Sequence, residues 1–318
     1  MSKFKRILLV LDAKTKQNTV LDYVKFLAKE NVIHVTVLSV VKNISVDLRM
    51  VTSLMSPEQL LEVMRASEQE KVDAFAATLC QSGIEATSKV LNGTPFLEII
   101  RQVIRENHDL VMIMAEGKGG GKDRLFGSTS MHLMRKCPCP VWVIKPVKNV
   151  SYKKILVAVD TTVDIPDLEQ DPFNELILHS AESMVEPGSN ELHVVQVWSV
   201  LGEGYMEVRA GVDDRAIIEL RREVKQQCES GLDSLLSGIA SKGFTFIKHL
   251  PRSDDASKAI IRLAKRERID LLVMGTVCRT GVAGFLIGNT AEKVLNEVNC
   301  SVLTVKPKGF ETPITLED

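Results

Sequence analysis

The chain repeats itself, and this internal repeat restricts the folds open to it more than any other feature of the sequence. The segment KFKRILLVLD returns as SYKKILVAVD, ENHDLVMIMAEG as ERIDLLVMGTVC, and CPCPVWVIKP as VNCSVLTVKP. Lys145 and Lys306, in the last pair of segments, are 161 residues apart. Solenoid and propeller repeats have much shorter periods, of about 20–50 residues. The spacing therefore predicts two duplicated domains, which we place at residues 1–148 and 149–318.

Each half shows the same alternation of predicted strands and helices. Apolar runs without polar alternation indicate strands that are buried on both faces, as in a parallel sheet. The predicted strands are 7–11, 35–41, 85–90, 110–115 and 141–144, then 155–159, 192–197, 244–250, 271–275 and 302–305, with long helices at 56–80 and 213–240. Strands that alternate with helices imply right-handed crossovers. We therefore predict an α/β fold of two tandem, doubly wound, open parallel-sheet domains.

Composition argues against several classes of partner. The 318 residues are 45% hydrophobic and 25% charged, as in a soluble globular protein. Because 40 basic residues are balanced by 41 acidic ones, neither nucleic acid nor a membrane is expected as a partner. No apolar run approaches the roughly 18 residues of a membrane span, and the first one is too short for a signal peptide. With six scattered cysteines, these features predict a cytoplasmic protein with reduced thiols.

The ends of the strands are where ligands are expected. Doubly wound sheets bind ligands beyond the carboxyl ends of their strands, where the strand order reverses. Asp12 and Asp160 follow the first strand of each half, and Gly275 ends the fourth strand of the second half. In each half a glycine-containing segment then leads into a helix. Glycine lets the backbone approach a phosphate, and a helix N-terminus offers unpaired N–H groups, so these segments predict anion-binding loops.

Five segments of the second half carry a family resemblance. In order and spacing, ILVAVD, DLLVMGT, RTG, LIGNTAEKV and VLTVKP resemble the universal stress protein family. The tandem arrangement is similar to that of its two-domain members, and the resemblance covers nearly the whole chain. It implies an adenine nucleotide α-hydrolase-like fold, a regulatory role in stress tolerance, and ATP or AMP as the bound cofactor. Nucleotide-binding members carry a loop of glycine, two residues, glycine, nine residues, then glycine with Ser or Thr, and an Asp near the adenosine.

The first half keeps one part of that loop pattern. Gly117 and Gly127 fit the second and third glycines, and Ser128 fits the hydroxyl residue. Met114 stands where the first glycine is expected. Gly127 has a simpler reading as a turn residue. The neighbouring GKGGGKD is not a Walker loop, which needs further Gly and Ser or Thr positions.

The second half keeps a different part. Gly275 and Gly288 fit the first and third glycines, but Cys278 replaces the second and Asn289 replaces the Ser or Thr. A left-handed backbone at a non-glycine residue costs about 1–2 kcal/mol, so we expect this loop to keep its fold but to bind a triphosphate weakly. In the simpler alternative, Asn289 only caps the following helix, with Glu292 as its reciprocal partner.

The candidate ligand-binding residues follow from both halves. By resemblance they are Asp12, Gly117, Gly127, Ser128, Thr129, Asp160, Val197, Gly275, Gly288, Asn289 and Thr290. No paired carboxylate, nucleophile or metal-ligand set accompanies them, so no catalytic residue is predicted and at most weak ATP hydrolysis is expected. The competing reading is a scaffold or interaction protein whose degenerate sites bind another small or apolar ligand.

Cysteine and histidine admit simpler readings than metal or redox chemistry. Cys137 and Cys139 have no second pair at ligand spacing, so packing at a helix-to-strand turn is favoured. A redox role for Cys278 is the minor alternative to an inert substitution. His34 and His193 occupy similar places at the start of the second strand of each half, and structural roles are favoured for both.

Duplicated halves are expected to associate as two identical subunits would. We predict an internal pseudo-dimer in which equivalent surfaces meet about a pseudo-two-fold axis. By resemblance to family dimers, the last strands, 141–144 and 302–305, are the candidate contact. The whole chain is also a candidate for homodimer formation.

Overall fold

The structure is a computed structural model, and contacts divide the chain into two compact units. The first unit comprises Met1–Ser151, Thr276–Ile287 and Ser301–Asp318, and the second comprises Tyr152–Gly275 and Gly288–Cys300. The structure describes residues 4–12, 17–29, 31–43, 56–115, 126–145, 152–161, 172–185, 191–208, 212–240, 246–277 and 287–316. The sequence-based domain boundary at residue 148 stays a prediction.

Strands and helices alternate through the first half of the chain. They are β1 (Arg6–Val10), α1 (Gln17–Ala28), β2 (His34–Val41), α2 (Pro57–Gln81), β3 (Glu85–Asn92), α3 (Pro95–Glu106), β4 (Leu110–Met114), α4 (Ser128–Lys136) and β5 (Val141–Ile144). Helix α2 shows why these bounds follow from the sequence. Ser56 and Gln59 form a reciprocal capping box, and proline is well suited to the first helical position.

The second half continues the alternation. Its elements are β6 (Lys154–Ala158), α5 (Pro172–Glu182), β7 (Glu191–Val195), α6 (Glu203–Val208), α7 (Asp214–Ala240), β8 (Phe246–His249), α8 (Ala256–Glu267), β9 (Leu271–Gly275), α9 (Asn289–Glu297) and β10 (Ser301–Val305). Helix α6 was not predicted from the sequence. Gly204 weakens its local propensity, and tertiary ion pairs from buried Glu203 to Arg221 and Arg252 hold it in place.

Each unit contains a sheet whose strand order reverses once. In the first unit the order is β3-β2-β1-β4-β5-β10, and in the second it is β9-β6-β7-β8. The pairs from β3 to β5 and from β9 to β8 are parallel. The order switches between β1 and β4 in the first unit and between β6 and β9 in the second. The predicted doubly wound α/β fold is confirmed.

A carboxylate fixes the start of the central strand in each unit. Asp109, just before β4, accepts hydrogen bonds from the backbone N–H groups of Lys5 and Arg6 at 2.8 and 3.0 Å. Asp270, just before β9, accepts the corresponding bonds of Lys153 and Lys154 at 2.9 and 3.0 Å. Burial raises the pKa of Asp109, whereas the two backbone donors oppose that rise. These contacts align the first strand with the fourth.

The last strands of the two halves pair with each other inside the first unit. Strand β5 is antiparallel to β10, with Trp142 opposite Leu303. These two residues are 161 positions apart in the sequence, which makes them equivalent in the repeat. Tyr23 of helix α1 meets the Trp142 ring edge-on, with the ring centroids 5.4 Å apart. The predicted contact between the two strands is confirmed, whereas the pseudo-two-fold arrangement of the halves stays a prediction.

A buried lysine of the first unit closes the C-terminal end of helix α4. The Nζ of Lys306 donates to the carbonyl oxygens of Met134 and Arg135 at 2.9 and 3.0 Å, and also to the Thr276 hydroxyl. Its ammonium lies 4.8 Å from the centre of the Phe310 ring. Burial lowers the pKa of Lys306 to about 8. The three oxygen acceptors and the ring offset part of the cost of burying the charge.

We predict that Lys306→Met destabilises the protein by about 1–3 kcal/mol, because two helix-end carbonyl groups lose their buried donor. Urea unfolding of the purified variant measures this change. Lys308→Met, at an exposed position of the same segment, is the matched control and should change stability by less than about 0.5 kcal/mol. Equal stability of both variants and the parent would show that Lys306 does not support the helix end.

Candidate functional site

In the first half the candidate residues lie where the strand order switches. Asp12 follows β1 and is exposed, and Gly127 is the buried N-cap residue of helix α4. Ser128 and Thr129 are the first two helical residues, the former exposed and the latter half-buried. The position of Gly117 lies outside the described residues, as does the rest of the segment 116–125. Strand β4 and helix α4 therefore bracket the predicted phosphate loop.

The first turn of helix α4 is not capped by a side chain. Gly127 has φ −68° and ψ 168°, an extended conformation, and no side chain at the N-cap accepts from the helix. The hydroxyl of Ser130, in the same turn, is buried and has no hydrogen-bond partner among the described residues. A helix N-terminus carries unpaired N–H groups and a partial positive charge. This end of α4 can therefore accept an anion.

In the second half the end of strand β6 is held by hydrogen bonds from a side chain of the following helix. Asp160, after β6, is exposed, but its backbone N–H donates to Asn174 Oδ1 at 3.2 Å. Asn174 Nδ2 donates back to the Asp160 carbonyl oxygen at 2.6 Å. Because Asn174 is buried at the start of helix α5, these paired bonds tie the strand end to that helix. Both backbone groups of Asp160 are thus already used.

Thr161, the next residue, is also held by a side-chain hydrogen bond. The Thr161 hydroxyl donates to the buried Gln196 side chain at 2.6 Å. Helix α7 passes directly over it, since a Cβ added at Gly231 would lie 2.6 Å from the Thr161 hydroxyl oxygen. Burial raises the pKa of the nearby Cys228 thiol, and the charge of Asp160 raises it further. Val197, the other candidate here, is half-buried just after β7.

Gly275 has a packing role that the sequence analysis missed. A Cβ added at this position would lie 2.7 Å from two ring atoms of Phe173 and 3.4 Å from Ile177, both on helix α5. A contact below 3.0 Å to a ring edge forces the ring to move. The space beside Gly275 is therefore filled by Phe173. No periodicity in the sequence pairs these two positions, which are about a hundred residues apart.

At the other end of the second loop, the alternative role for Asn289 is wrong. Gly288, with φ −62° and ψ 141°, is the N-cap residue of helix α9, and Asn289 is already the first helical residue. A side chain at that position is one residue too late to cap, and no side-chain cap bond forms at Gly288. Asn289 and Thr290 are exposed. Val277 and Ile287 form an antiparallel bridge at the base of the loop, and Cys278 lies outside the described residues.

The paired thiols before β5 are buried against each other. The Sγ atoms of Cys137 and Cys139 are 3.6 Å apart. The hydrogen bond from Cys137, followed by burial, raises the pKa of the Cys139 thiol well above its usual range. A thiol of this kind favours packing over reactivity. Within the described ranges, no cluster of three or more His, Cys, Asp or Glu side chains could hold a metal ion.

None of the helices that the structure describes combines the length and the apolar character of a membrane span.

We predict that Gly275→Ala destabilises the protein by about 1–3 kcal/mol, because the new methyl group would overlap the Phe173 ring. Phe173→Leu in the same chain should restore part of this loss by removing the ring edge. Gly238→Ala, at an exposed position of helix α7 with open space around it, is the control. It should raise the free energy of unfolding by about 0.5–1 kcal/mol. Thermal unfolding of the variants checks all of these values. A stable Gly275→Ala single variant would contradict the packing role.

Both halves of the chain match the same protein family. The family model described as the universal stress protein family matches residues 3–145 and again residues 151–306. Universal stress protein E of Escherichia coli K12 is 27% identical over 274 residues, covering 84% of each chain. Universal stress protein E of Photorhabdus laumondii is 25% identical over 325 residues, covering 99% of this chain and 98% of the relative.

Solved structures agree on the fold. A functionally unknown protein of Pseudomonas aeruginosa PAO1 aligns with a TM-score of 0.71 at 21% identity, covering 96% of this chain and 94% of its own. A universal stress protein of Archaeoglobus fulgidus aligns with a TM-score of 0.60 at 21% identity, covering 95% and 98%. The family model matches most of the chain, in two consecutive copies. The chain therefore belongs to the universal stress protein family, in which it is a tandem two-domain, UspE-like member.

Proposed function

We propose that this protein is a cytoplasmic stress-response regulator that binds an adenine nucleotide, ATP or AMP, through its first half. Family membership supports the stress role, and the uncapped first turn of helix α4 is the observation that carries the nucleotide. The phosphates would lie on the N–H groups that follow Gly127, with the hydroxyls of Ser128 and Thr129 as further donors. Asp12, after β1, would face the sugar.

The second half is the weaker candidate for the same ligand. The space beside its first loop glycine, Gly275, is filled by the Phe173 ring. Asn174 already forms hydrogen bonds with the backbone N–H and carbonyl groups of Asp160. Cys278 adds a side chain where the loop pattern calls for glycine. We infer that this loop binds a triphosphate weakly, with Gly288, Asn289 and Thr290 left as an anion site for a smaller ligand.

A second candidate function rests on apolar side chains at the surface of the second unit. Leu201, in the turn before helix α6, is 97% exposed, and Tyr205 within that helix is 64% exposed. Exposed apolar groups that lie close together often mark interaction surfaces. This observation favours an interaction protein with degenerate nucleotide sites. In either case we propose that the halves associate as an internal pseudo-dimer.

The first test combines two substitutions in helix α4 with ATP titration. Gly127→Val places a branched side chain at the phosphate position, and its extended backbone conformation is open to valine. Ser128→Asp puts a negative charge on an exposed first-turn residue, which stabilises the helix by about 0.3–1 kcal/mol while repelling phosphate. We expect both variants to lose ATP protection in a thermal-shift assay.

The control for this test is the equivalent change in the second half, Asn289→Asp at the start of helix α9. For scale, a ligand at one hundred times its dissociation constant adds about 2.7 kcal/mol of stability. The control should keep that protection. Full ATP protection in Ser128→Asp would exclude the first-half site, and lost protection only in Asn289→Asp would assign the nucleotide to the second half.

The loop of the second half has its own test. Cys278→Gly removes a Cβ and should relieve about 1–2 kcal/mol of backbone strain in the bound form, so ATP affinity should rise by about five- to thirty-fold. Titration calorimetry in the Ser128→Asp background isolates this loop. The prediction fails if ATP affinity is unchanged and the loop already binds at micromolar concentration.

Mass spectrometry of natively purified protein separates the two candidate functions. A nucleotide regulator should release AMP or ATP on denaturation. An interaction protein with degenerate sites should release another small molecule or none.

A further inference from the structure

Two histidines of the second unit join the short edge strand β8 to its neighbour β7. The Nδ1 of His193, on β7, lies 2.9 Å from the Nε2 of His249, on β8. The two rings are nearly parallel, at 3°, with their centroids 5.1 Å apart. His193 is only 2% exposed, so water does not compete freely for this contact. The hydrogen bond between the rings is thus a direct link between two strands.

A carboxylate sets the direction of that hydrogen bond. Glu191 Oε2 lies 3.3 Å from His193 Nε2 and also accepts from Lys154 at 2.9 Å. A carboxylate accepts only, so His193 carries its proton on Nε2 and offers Nδ1 as an acceptor. His249 then donates its Nε2–H to that nitrogen. With both rings neutral, each hydrogen bond in the series Lys154, Glu191, His193 and His249 has one donor and one acceptor.

Strand β8 is attached to the sheet on one side only. The strand has four residues and lies at the end of the order β9-β6-β7-β8, so it pairs with one neighbour only. On its other face, Lys248 pairs with Asp233 of helix α7 at 2.5 Å, with side chains 41% and 52% exposed. Exposed ion pairs contribute about 0–1 kcal/mol. The histidine contact therefore adds a buried side-chain link to the backbone pairing of β7 with β8 and to the bond from Trp198 Nε1 to the Leu250 carbonyl oxygen just after β8.

We propose that the His193–His249 pair is a proton-operated latch that releases strand β8 from β7 when the pH falls. A first added proton goes to the outer nitrogen of His249, Nδ1, because the two facing nitrogens already share one. The hydrogen bond between the rings then persists, but the half-buried pair carries a charge. A second proton leaves two cationic rings with donors pointing at each other 2.9 Å apart, and no acceptor between them. This inference concerns the second unit and does not depend on nucleotide binding.

The charged groups around the pair do not remove this conflict. Glu191 and Lys154 lie on the strands beside it, and Glu267 and Arg266, at the end of helix α8, act on His249. Two carboxylates are thus matched by two cations before either ring is protonated. Glu267 is itself paired with Arg266 at 2.8 Å. Two imidazolium charges would have no unpaired carboxylate among these groups.

The sign of the pH dependence follows from His249. Burial, and then the charge of His193, lower the pKa of His249 below its ordinary value. A histidine with a lowered folded pKa stabilises the fold above its unfolded pKa of about 6.5, and that contribution is lost as the pH falls below it. Attachment of β8 should therefore weaken on acidification from about pH 6.5.

The first unit contains a natural control. There His34 on β2 faces a carboxylate, Glu85 on the edge strand β3, at 3.4 Å. The side-chain contact between these two strands therefore joins a ring to a carboxylate rather than a ring to a ring, so acidification should not loosen that edge. The two edge strands are thus joined through histidines at similar positions but with opposite expected responses to acid.

Hydrogen–deuterium exchange of the full chain at pH 7.5, 6.5 and 5.5, corrected for intrinsic exchange rates, tests the latch. One proton taken up on opening changes the opening equilibrium by up to about tenfold per pH unit, so we expect a roughly three- to tenfold loss of protection in β8 between pH 6.5 and 5.5. Strand β3 should keep its protection. Equal behaviour of β8 and β3, or unchanged protection of β8, would overturn the proposal with the parent protein alone.

A conservative substitution then assigns the effect to the pair. His249→Gln keeps an N–H donor for His193 but does not titrate. In this variant, protection of β8 should no longer fall between pH 6.5 and 5.5. A loss of protection as large as that of the parent would show that other groups sense the acid.

Discussion

The alignment of the central strand with the fourth strand underlies everything else in each unit. Asp109 and Asp270 hold the first residues of β1 and β6 by two backbone hydrogen bonds each. A one-residue slip in a parallel sheet would turn every side chain of a strand to the opposite face. With that register fixed, the carboxyl ends of β1 and β4, and of β6 and β9, meet where the strand order reverses. The candidate sites follow from this alignment.

The fold could be predicted from the sequence because strands that are buried on both faces have a recognisable pattern. Strands such as β4 and β9 are buried on both faces and appear as unbroken apolar runs, which is why their predicted and observed bounds nearly coincide. Helix α6 was missed because the arginines that pair with its Glu203 lie on other segments of the chain. Local patterns carry no information about such contacts.

The candidate sites were only partly predictable for the same reason. Asp12, Asp160 and Gly127 fall at the switch points, as the order of strands requires. The meaning of Gly275 was not predictable, because a glycine that admits a phosphate and a glycine that admits a neighbouring ring look alike in one sequence. Only the position of Phe173, on another element, distinguishes them. The hydrogen bonds between Asn174 and Asp160 were not predictable for the same reason.

The pairing of Trp142 with Leu303 has a consequence for how the two halves can change. At the centre of a symmetric dimer, the residue on the axis faces a copy of itself, so the interface must accept two large rings or two small side chains together. Here equivalent positions face each other but hold different residues. Joining both copies in one chain lifts the demand for self-complementarity, because a bulky ring can be matched by a smaller partner. Each half is then free to accumulate substitutions that a homodimer would have to tolerate twice.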